Sequence, residues 1–304
     1  MPSSPPSSVS DWWCDQGSEY GFVGFSYEVT ACQSVNTLRT DFKNIRETFK
    51  GRYVRLYGAC DNEGESSWGD NIVEAAWDAG IGVHALIWFG FDGGNEWMTR
   101  RDSLLASLHS NPKAQFVTRA VQFGSEPLFD QVLGVSALAT QVKDAISNLA
   151  SLHIPVTVSD MAYGYQENGG AKDVLDAIDL IDAHMLPFFS QQASTGNQAW
   201  PLVLDDLNWF VSNGQGKKII LTENGWPSKT YSGVKANSPK AVANVQNEQE
   251  YYELLDSKCS YFKTVPGGGV GWFWHIYSDN MEPGYGLYDT NNKLKFPFSP
   301  KTSC

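Results

Sequence analysis

The sequence predicts an α/β fold, a single-domain (β/α)8 barrel, or TIM barrel. The chain has 304 residues with 42% hydrophobic content, which is enough to bury one large core. Eight short β-like segments alternate with longer amphipathic segments, and no internal repeat is present. An open doubly wound sheet is the alternative, but it requires a Gly-rich phosphate turn after an early strand. The segment GFVGF matches such a turn poorly.

The predicted strands follow one another along the whole chain. In order they are FVGFSYE (22–28), YVRLYG (53–58), GVHALIW (82–88), AVQFGSE (120–126), PVTVSDM (155–161), IDAHMLP (181–187), KKIILTE (217–223) and GVGWFWHIY (269–277). Helix-like segments lie between them near 34–49, 69–79, 96–109, 133–152, 171–178, 201–212 and 240–262. This strict alternation is typical of a barrel whose parallel strands are each followed by a helix.

The first residues differ in composition from the rest of the chain. MPSSPPSSVS lacks the basic and apolar regions of a signal peptide and is rich in Pro and Ser. We therefore expect residues 1–12 to form a disordered linker and residues 13–304 to form the catalytic barrel domain.

Charge and hydropathy exclude two classes of partner. Against 22 Lys and Arg stand 34 Asp and Glu, so the net charge is −12 and the surface repels nucleic acid phosphates. No stretch of about 18 apolar residues occurs, so no membrane span is predicted. We expect a monomer.

Two glutamates end predicted strands, Glu126 in the fourth and Glu223 in the seventh. In a barrel, catalytic residues project from the carboxyl ends of the strands, so the two carboxylates are expected to face each other across one cleft. Such a pair suits glycoside hydrolysis, in which one group protonates the leaving oxygen and the other attacks the anomeric carbon. The alternative is that each glutamate caps a helix or pairs with an arginine.

The segments around these glutamates resemble glycoside hydrolase family 17, the β-1,3-glucanases and related glucanosyltransferases, in particular cell-wall enzymes of fungal type. LTENGWPS resembles the family's nucleophile signature and QFGSEPL its acid/base strand, while VRLYG and LPFF resemble its second and sixth strands. The resemblance implies a retaining enzyme with Glu126 as acid/base and Glu223 as nucleophile. It also implies a laminarin-type β-1,3-glucan as substrate and no cofactor.

The sequence departs from the family pattern around the expected pocket. Ser125 stands where the family usually has Asn, so either a water bridges to the sugar or the sugar sits differently. Ala59 and Cys60 follow the second strand in place of an Asp. On the sixth and eighth strands, His184 and Leu186 replace Asn and Tyr or His, and His275 replaces Glu. The reaction class stands, and the linkage preference stays open.

Several polar side chains are predicted to bind substrate besides Ser125. Tyr27 and Tyr57 end the first two strands and are expected to donate to the nucleophile or to sugar hydroxyls, unless they only pack at the rim. Arg55 alternates with Val54 and Leu56, so it either holds a site carboxylate or forms a structural ion pair. Asp279, beyond the eighth strand, binds hydroxyls or is a solvated loop charge.

Aromatic residues are abundant, with 11 Trp, 13 Tyr and 16 Phe, and many lie beside Gly, Asn or Pro, which suggests sugar-stacking loops. Phe188 and Phe189 are adjacent in the sixth loop, where two exposed rings are unfavourable unless a ligand covers them. Trp226 forms a stacking platform or wedges the seventh loop against the barrel. Tyr163, in the fifth loop, is a candidate for holding an acceptor sugar.

Other chemistries find little support in the sequence. The five histidines show no ligand spacing and the cysteines no C-x-x-C, so no metal site is expected. The motif G-x-S-x-G is absent, which leaves acyl transfer a weak alternative.

The five cysteines favour an oxidising compartment. Together with the acidic composition and the resemblance to family 17, they imply a secreted or cell-wall location. Cys32 and Cys60 follow neighbouring strands and are predicted to pair. One further bridge is expected among Cys14, Cys259 and Cys304, with one thiol left over.

The sequence thus favours a retaining, endo-acting β-1,3-glucan hydrolase with transglycosylation. The alternatives are a dedicated glucanosyltransferase, a retaining barrel glycosidase acting on another β-glycan, and a non-catalytic glucan-binding barrel.

Overall fold

The computed structural model describes residues 2–29, 31–58, 71–90 and 93–304, and within them eight parallel strands close into a barrel. The strands are β1 Gly21–Tyr27, β2 Tyr53–Leu56, β3 Gly82–Ile87, β4 Thr118–Ser125, β5 Val156–Met161, β6 Ile181–Met185, β7 Ile219–Asn224 and β8 Val270–Trp274. Each strand pairs with its neighbours in chain order, and β8 returns to β1. The predicted (β/α)8 barrel is confirmed.

Helices surround the barrel. They are α1 Val35–Glu47, α2 Val73–Ala79, α3 Glu96–Ser110, α4 Ala114–Val117, α5 Val135–Leu149, α6 Ala162–Glu167, α7 Lys172–Ala177, α8 Trp200–Asn213, α9 Val245–Ser257 and α10 Cys259–Thr264. Single 3-10 turns occupy Gln16–Ser18, Ala150–Leu152, Pro187–Phe189 and Gly196–Gln198. Two of the helices, α4 and α6, are absent from the sequence prediction because four to six residues are too few to show a helical period. The predicted helix 240–262 divides at Lys258 into α9 and α10.

The barrel interior changes from apolar to polar along the strands. Towards the strand starts, an apolar cluster fills it, formed by Val23, Tyr53, Ala120, Leu180, Ile220 and Phe273. Farther along lies a buried polar group in which His84 Nδ1 is 3.1 Å from Asp182 Oδ2, and Gln122 donates to the same oxygen at 2.6 Å. Polar side chains therefore lead through the core towards the carboxyl ends of the strands.

One buried lysine closes the opposite end of the barrel. Lys218 precedes β7, and its ammonium group donates to the carbonyl oxygens of Gln16 and Glu19, before β1, and of Gly268 and Gly269, before β8, all within 3.1 Å. Buried carbonyl oxygens need hydrogen-bond donors. Lys218 therefore holds together the segments at which the first and last strands meet.

The cysteines lie largely as expected. Cys259 and Cys304 form a disulfide and Cys14 is an exposed free thiol, which confirms one bridge among these three. Cys60 lies outside the described residues, so its pairing with Cys32 stays a prediction.

The expected linker 1–12 makes contacts with the barrel at its end. The indole N–H of Trp12 donates to the carbonyl of Phe116 at 2.7 Å, and its ring stacks on Trp77 with centroids 6.0 Å apart. The boundary at residue 12 stays a prediction. Among the helices in the described ranges, none has the length and apolar character needed to cross a bilayer.

Candidate active site

A cleft of about 370 Å³ opens at the carboxyl ends of the strands. Its lining includes Tyr57, Trp88, Phe89, Ser125, Glu126, Asp130, Glu223 and Glu282. Both strand-end glutamates therefore reach the same cleft, as their positions in the sequence predict.

Irregular backbone at the strand ends places these two glutamates at the cleft. The β4–β5 register shifts between Gln122 and Ser125, and along β6–β7 the pair His184 and Glu223 follows directly on Ala183 and Leu221. Side chains in a regular strand alternate between faces, whereas a bulge allows two successive residues to share a face. Glu126 follows the end of β4 in a left-handed conformation with φ of 54°, and its side chain and that of Ser125 both line the cleft.

The Glu223 carboxylate is held from two sides. Arg55 donates from Nη1 to Oε1 at 2.8 Å, and the Ser125 hydroxyl donates to the same oxygen at 3.2 Å. Burial by itself raises the pKa of Glu223, but the positive charges of His184, Arg55 and His275 outweigh burial and lower the pKa to about 2. Glu223 is therefore ionised throughout the physiological pH range.

Arg55 is fully buried, and all three nitrogens of its guanidinium group donate hydrogen bonds. Its Nε donates to Gln122 at 2.8 Å and its Nη2 to Ser125 at 2.9 Å, and the group lies 4.0 Å from the centre of the Tyr57 ring. The planar fork fixes the direction from which the charge reaches Glu223. Of the two alternatives left by the sequence, the structure shows Arg55 holding a site carboxylate.

Glu126 and Glu223 both approach the same ring nitrogen of His184. The Nδ1 atom of His184 is 2.8 Å from Glu126 Oε1 and 3.5 Å from Glu223 Oε2. One carboxylate oxygen of each glutamate lies within 4.8 Å of the other and of the imidazole nitrogen. The contact with His184 involves only Oε1 of Glu126, and 23% of the Glu126 side chain stays exposed.

This spacing of three polar groups also resembles a metal site, but the surroundings do not suit a cation. The guanidinium of Arg55 is already bound to the Glu223 oxygen at 2.8 Å, and a second positive charge there is repelled. Both ring nitrogens of His184 have protein partners as well. The three residues are better suited to proton chemistry.

A second polar chain borders the cleft. The Tyr57 hydroxyl is 2.7 Å from His275 Nδ1, and His275 Nε2 is 2.9 Å from Glu282 Oε2. Tyr231 donates to the other oxygen of Glu282 at 2.6 Å. Burial raises the pKa of Glu282, but the charge of His275 and these hydrogen bonds more than offset burial and lower it. The chain fixes the position of the Tyr57 hydroxyl, and Tyr57 lines the same cleft as Glu126 and Glu223.

Tyr27 does not face the cleft. Its side chain is fully buried and its hydroxyl donates to Asp41 on α1 at 2.6 Å. The preceding residue, Ser26, points inward and donates to the Thr222 carbonyl at 2.8 Å. Alternation along β1 therefore places Tyr27 against the helices, so the expectation that it binds sugar is corrected.

Two of the predicted stacking rings are also inaccessible. Trp226 and Phe188 are fully buried and pack edge to face with centroids 5.3 Å apart. The indole of Trp226 donates to the carbonyl of Val242 at 3.1 Å. These rings wedge the loop after β7 against the barrel, which was the alternative to a sugar platform.

Asp279 stabilises a loop. Its Oδ1 accepts from the backbone N–H groups of Gly284 at 3.0 Å and Gly286 at 2.9 Å, and from Lys295 at 3.2 Å. With Oδ1 so occupied and the residue only 7% exposed, Asp279 is neither a solvated loop charge nor free to bind a sugar hydroxyl through that oxygen. Asp279 thus orders the chain after β8.

The remaining aromatic candidates differ in exposure. Phe189 is partly buried against Phe188, whereas Tyr163 is 51% exposed and packs on Phe129, which is 44% exposed. Phe129 adjoins Asp130, a residue of the cleft lining. Tyr163 therefore stays a candidate for sugar binding, with Phe129 as a partner that the sequence analysis did not name.

Sequence reasoning assigned no role to the two site histidines. His184 and His275 were noted only as departures from a family pattern, yet each contacts a cleft residue directly. A signal was available for His184, because it follows Asp182 by two residues on β6 and must share its inward face.

Comparison with known proteins places the chain among glycosidases. A family model described as the BtgE/BtgC glycoside hydrolase domain matches residues 22–280. The probable glucan endo-1,3-beta-glucosidase btgC of Aspergillus fumigatus is 27% identical over 273 residues, covering 80% of this chain and 37% of the relative. The probable glucan endo-1,3-beta-glucosidase eglC of Aspergillus oryzae is 23% identical over 296 residues, covering 89% of this chain and 60% of the relative. The chain thus spans between about two and three fifths of the length of these relatives.

Solved structures share the fold. A glycoside hydrolase family 17 beta-1,3-glucanosyltransferase from Rhizomucor miehei aligns with a TM-score of 0.72 at 20% identity, covering 93% of this chain and 97% of that chain. A structure of fungal beta-1,4-galactanases aligns with a TM-score of 0.57 at 15% identity, covering 83% and 87%. At these identities the likeness concerns the barrel fold.

Proposed function

The chain belongs to the BtgE/BtgC glycoside hydrolase domain family, and from this membership we propose that it is a retaining, endo-acting β-1,3-glucan hydrolase that also transfers glycosyl units. The spacing of Glu126 and Glu223 carries the proposal, since an oxygen of each lies within 4.8 Å of the other. Retaining enzymes hold their carboxyl groups about 5–5.5 Å apart, whereas inverting enzymes leave about 6.5–9.5 Å for a water molecule.

The surroundings of the two glutamates support different roles. Glu223 is ionised and fixed by Arg55 and Ser125, as a nucleophile requires. Glu126 is the more exposed of the two and receives no hydrogen bond from Arg55 in the described part of the chain. In the first step a Glu223 oxygen bonds to the anomeric carbon, while the proton of Glu126 passes to the departing glycosidic oxygen.

The second step regenerates both groups. Water or another sugar hydroxyl attacks the anomeric carbon, its proton passes to Glu126, and the bond to Glu223 breaks. Water gives hydrolysis and a sugar gives transfer. The protein supplies the acid, the base and the nucleophile from its own side chains.

The names of the relatives and the family 17 resemblance support β-1,3-glucan as substrate. We further propose that the protein acts outside the cell or in the cell wall, where the Cys259–Cys304 disulfide is stable. A monomer suffices, because both carboxylates come from one barrel.

A panel of polysaccharides, assayed for new reducing ends, tests the substrate. We expect β-1,3-glucan to be cleaved internally and β-1,4-glucan and galactan to be left intact. Cleavage of the β-1,4-linked polymers alone would favour a retaining barrel enzyme with another β-glycan as substrate. Absence of cleavage together with tight glucan binding would favour a binding module.

Variants of the two glutamates test the mechanism. Glu223→Ala should abolish the glycosyl-enzyme, whereas Glu126→Ala should keep turnover only on substrates whose leaving group needs little protonation. Azide should rescue Glu126→Ala and yield a β-glycosyl azide, because it attacks the intermediate without needing a base. Glu47→Ala, at an exposed position on α1, is the matched control and should behave as wild type. Wild-type rates for Glu223→Ala would refute the assignment.

A dedicated β-1,3-glucanosyltransferase is the second candidate. The exposed pair of Phe129 and Tyr163 beside the acid/base side of the cleft favours it, because an acceptor held there competes with water. Intact-mass analysis of products from millimolar laminari-oligosaccharide distinguishes the two, since an enzyme that only transfers forms longer chains without net release of reducing ends.

A further inference from the structure

His184 is fixed in the cleft by both of its ring nitrogens. Nδ1 is 2.8 Å from Glu126 Oε1, and Nε2 is 2.6 Å from the Ser159 hydroxyl on β5. The residue is 1% exposed. The ring therefore has one orientation, with Nδ1 directed at the catalytic carboxylates.

The contacts of the His184 ring favour a proton on Nδ1. Nδ1 contacts only carboxylate oxygens, Glu126 Oε1 at 2.8 Å and Glu223 Oε2 at 3.5 Å, and an ionised carboxylate only accepts. A single proton lies between a donor and an acceptor at 2.8 Å. A proton on Nδ1 satisfies both contacts, because ionised Glu223 only accepts and Glu126 Oε1 accepts whether Glu126 is ionised or protonated on Oε2.

Ser159 adapts to either charge of the ring. Its hydroxyl donates to Nε2 of a neutral imidazole or accepts from Nε2 of a protonated one. Thr222 Oγ1, at 3.0 Å from Ser159, serves as donor or acceptor as required, and Arg55 donates at 3.4 Å. The imidazole can therefore change charge without leaving a buried polar group unpaired.

We propose that His184 is a positioning residue for Glu126, which binds Oε1 through Nδ1–H and so leaves Oε2 as the oxygen that carries the catalytic proton. The assignment rests on the proposed glycoside hydrolysis. In the first step the proton leaves Oε2 for the glycosidic oxygen as the bond to the anomeric carbon breaks. In the second step the attacking water returns a proton to Oε2, while the proton on Nδ1 stays in place throughout.

The charge of His184 also affects the ionisation of its neighbours. The charged and titratable groups acting on it come from three strands and from the loop after β4: Arg55, Asp160 and Glu223, and Glu126 and Asp130. Burial lowers the pKa of His184, but the charge of Glu223 and the hydrogen bond and charge of Glu126 more than compensate and raise it. A positive imidazole disfavours the protonated form of an adjacent carboxyl group, so it promotes release of the proton to the leaving group.

Substrates with different leaving groups test this role. His184→Ala should lose about 100-fold in kcat/KM on a laminari-oligosaccharide, whose leaving group needs a proton, and less than about 10-fold on a dinitrophenyl β-glucoside, whose leaving group does not. His184→Asn places an amide N–H near the position of Nδ1. It should recover most of the oligosaccharide activity, and the alkaline limb of its pH–rate profile should move to higher pH because the positive charge is gone.

His275→Asn is the matched control. His275 is 3% exposed and contacts Tyr57 and Glu282 rather than Glu126. The His275→Asn variant should lose a similar factor in kcat/KM on both substrates, and the alkaline limb of its pH–rate profile should not move. Equal losses on both substrates for His184→Ala, together with an unmoved alkaline limb for His184→Asn, would overturn the proposal.

A titration without substrate separates this proposal from the enzyme assignment. With five histidines in the chain, imidazole NMR signals can be followed individually against pH, and His184→Asn identifies the signal of interest. Glu126→Gln removes a negative charge and should lower the His184 midpoint by about one pH unit. Glu74→Gln, which affects a carboxylate paired with Lys113 on the outer layer, should leave it unchanged.

The two outcomes are distinguishable. A protein that shows the shift but cleaves no glycan keeps the Glu126–His184 pair and refutes the proposed function. If the protein is a glucanase but the titration midpoint of His184 is the same in wild type and in Glu126→Gln, the proposed Glu126–His184 contact is refuted.

Discussion

Replacement of Arg55 by Met tests how the nucleophile is kept ionised. The guanidinium donates to Glu223, Ser125 and Gln122, and methionine fills a similar volume without charge or donors. In this variant burial raises the pKa of Glu223, and of the three positive charges that lower it only those of His184 and His275 are left. We expect the acid limb of activity to move to higher pH, because protonated Glu223 cannot attack.

The size of the effect follows from the pKa of Glu223, which is lowered from 4.5 to about 2. This difference corresponds to roughly 3 kcal/mol in favour of the ionised form, at about 1.36 kcal/mol per pH unit. Arg55 shares the effect with His184 and His275, and one adjacent arginine typically lowers a carboxyl pKa by about 1–3 units. The acid limb in Arg55→Met should therefore rise by about 1–3 pH units.

Stability should change in the corresponding direction. The folded-state pKa of Glu223 is below the unfolded value, so its contribution to stability is present above about pH 4.5 and is lost as pH falls towards 2. Removing one partner of a buried ion pair costs about 3–5 kcal/mol. Arg55→Met should be less stable than wild type by about that amount at pH 6, and the two should converge as the solution is acidified.

The nucleophile can be titrated by labelling with a 2-deoxy-2-fluoro glycoside, followed by intact mass. Its labelling rate against pH reports the ionised fraction of Glu223, and urea unfolding at pH 3 and pH 6 reports the stability. Arg55→Lys retains a positive charge but loses the planar fork, so it should lose stability while keeping most of the low acid limb. A folded Arg55→Met protein with an unchanged acid limb would refute this account of Glu223.

Three further outcomes are expected. The rate profile of the wild type should be bell-shaped with an optimum on the acidic side of neutral, because one carboxyl group must hold a proton while Glu223 is ionised, and a rate that climbs steadily to pH 9 would contradict this. Phe129→Ala and Tyr163→Ala should lower the ratio of transfer to hydrolysis measured by product mass, and an unchanged ratio would remove the pair from acceptor binding. Burial raises the pKa of Glu248 to about 8 despite Lys295 at 2.8 Å. The protonated form is therefore preferred in the fold, and stability is lost as pH rises from about 4.5 to 8. At pH 7 the free energy of unfolding of Glu248→Gln should exceed that of wild type by roughly 2–3 kcal/mol. If the wild-type protein were equally stable at pH 4.5 and at pH 7, Glu248 would not titrate in this way.

The sequence contained enough information to predict the barrel and both strand-end glutamates. Strand periodicity reports which residues are buried, and the carboxyl ends of barrel strands meet at one mouth. The same alternation that directed Arg55 inward applies to Tyr27, where it places the ring against α1. That error was therefore avoidable from the sequence.

Other features of the site depend on contacts between distant segments. The burial of Trp226 arises from its packing with Phe188 and its hydrogen bond to Val242, and no local pattern reports these contacts. His184 meets Glu126 only because β4 and β6 both flank β5 and the register shifts near the strand ends. A β-bulge changes the side of the strand on which a side chain lies, and the local sequence gives no strong signal of it.

The lysine at the base of the barrel has a consequence for the growing chain during synthesis. Two of the four carbonyl groups bound by Lys218 belong to Gly268 and Gly269, and β8 follows immediately. Until those residues leave the ribosome, β1 and β7 expose unpaired edges, which invite pairing with other chains. Lys218 also lacks half of its partners at that stage. The barrel therefore closes only after β8 has emerged, and until then the two open strand edges are sites at which the growing chain can aggregate.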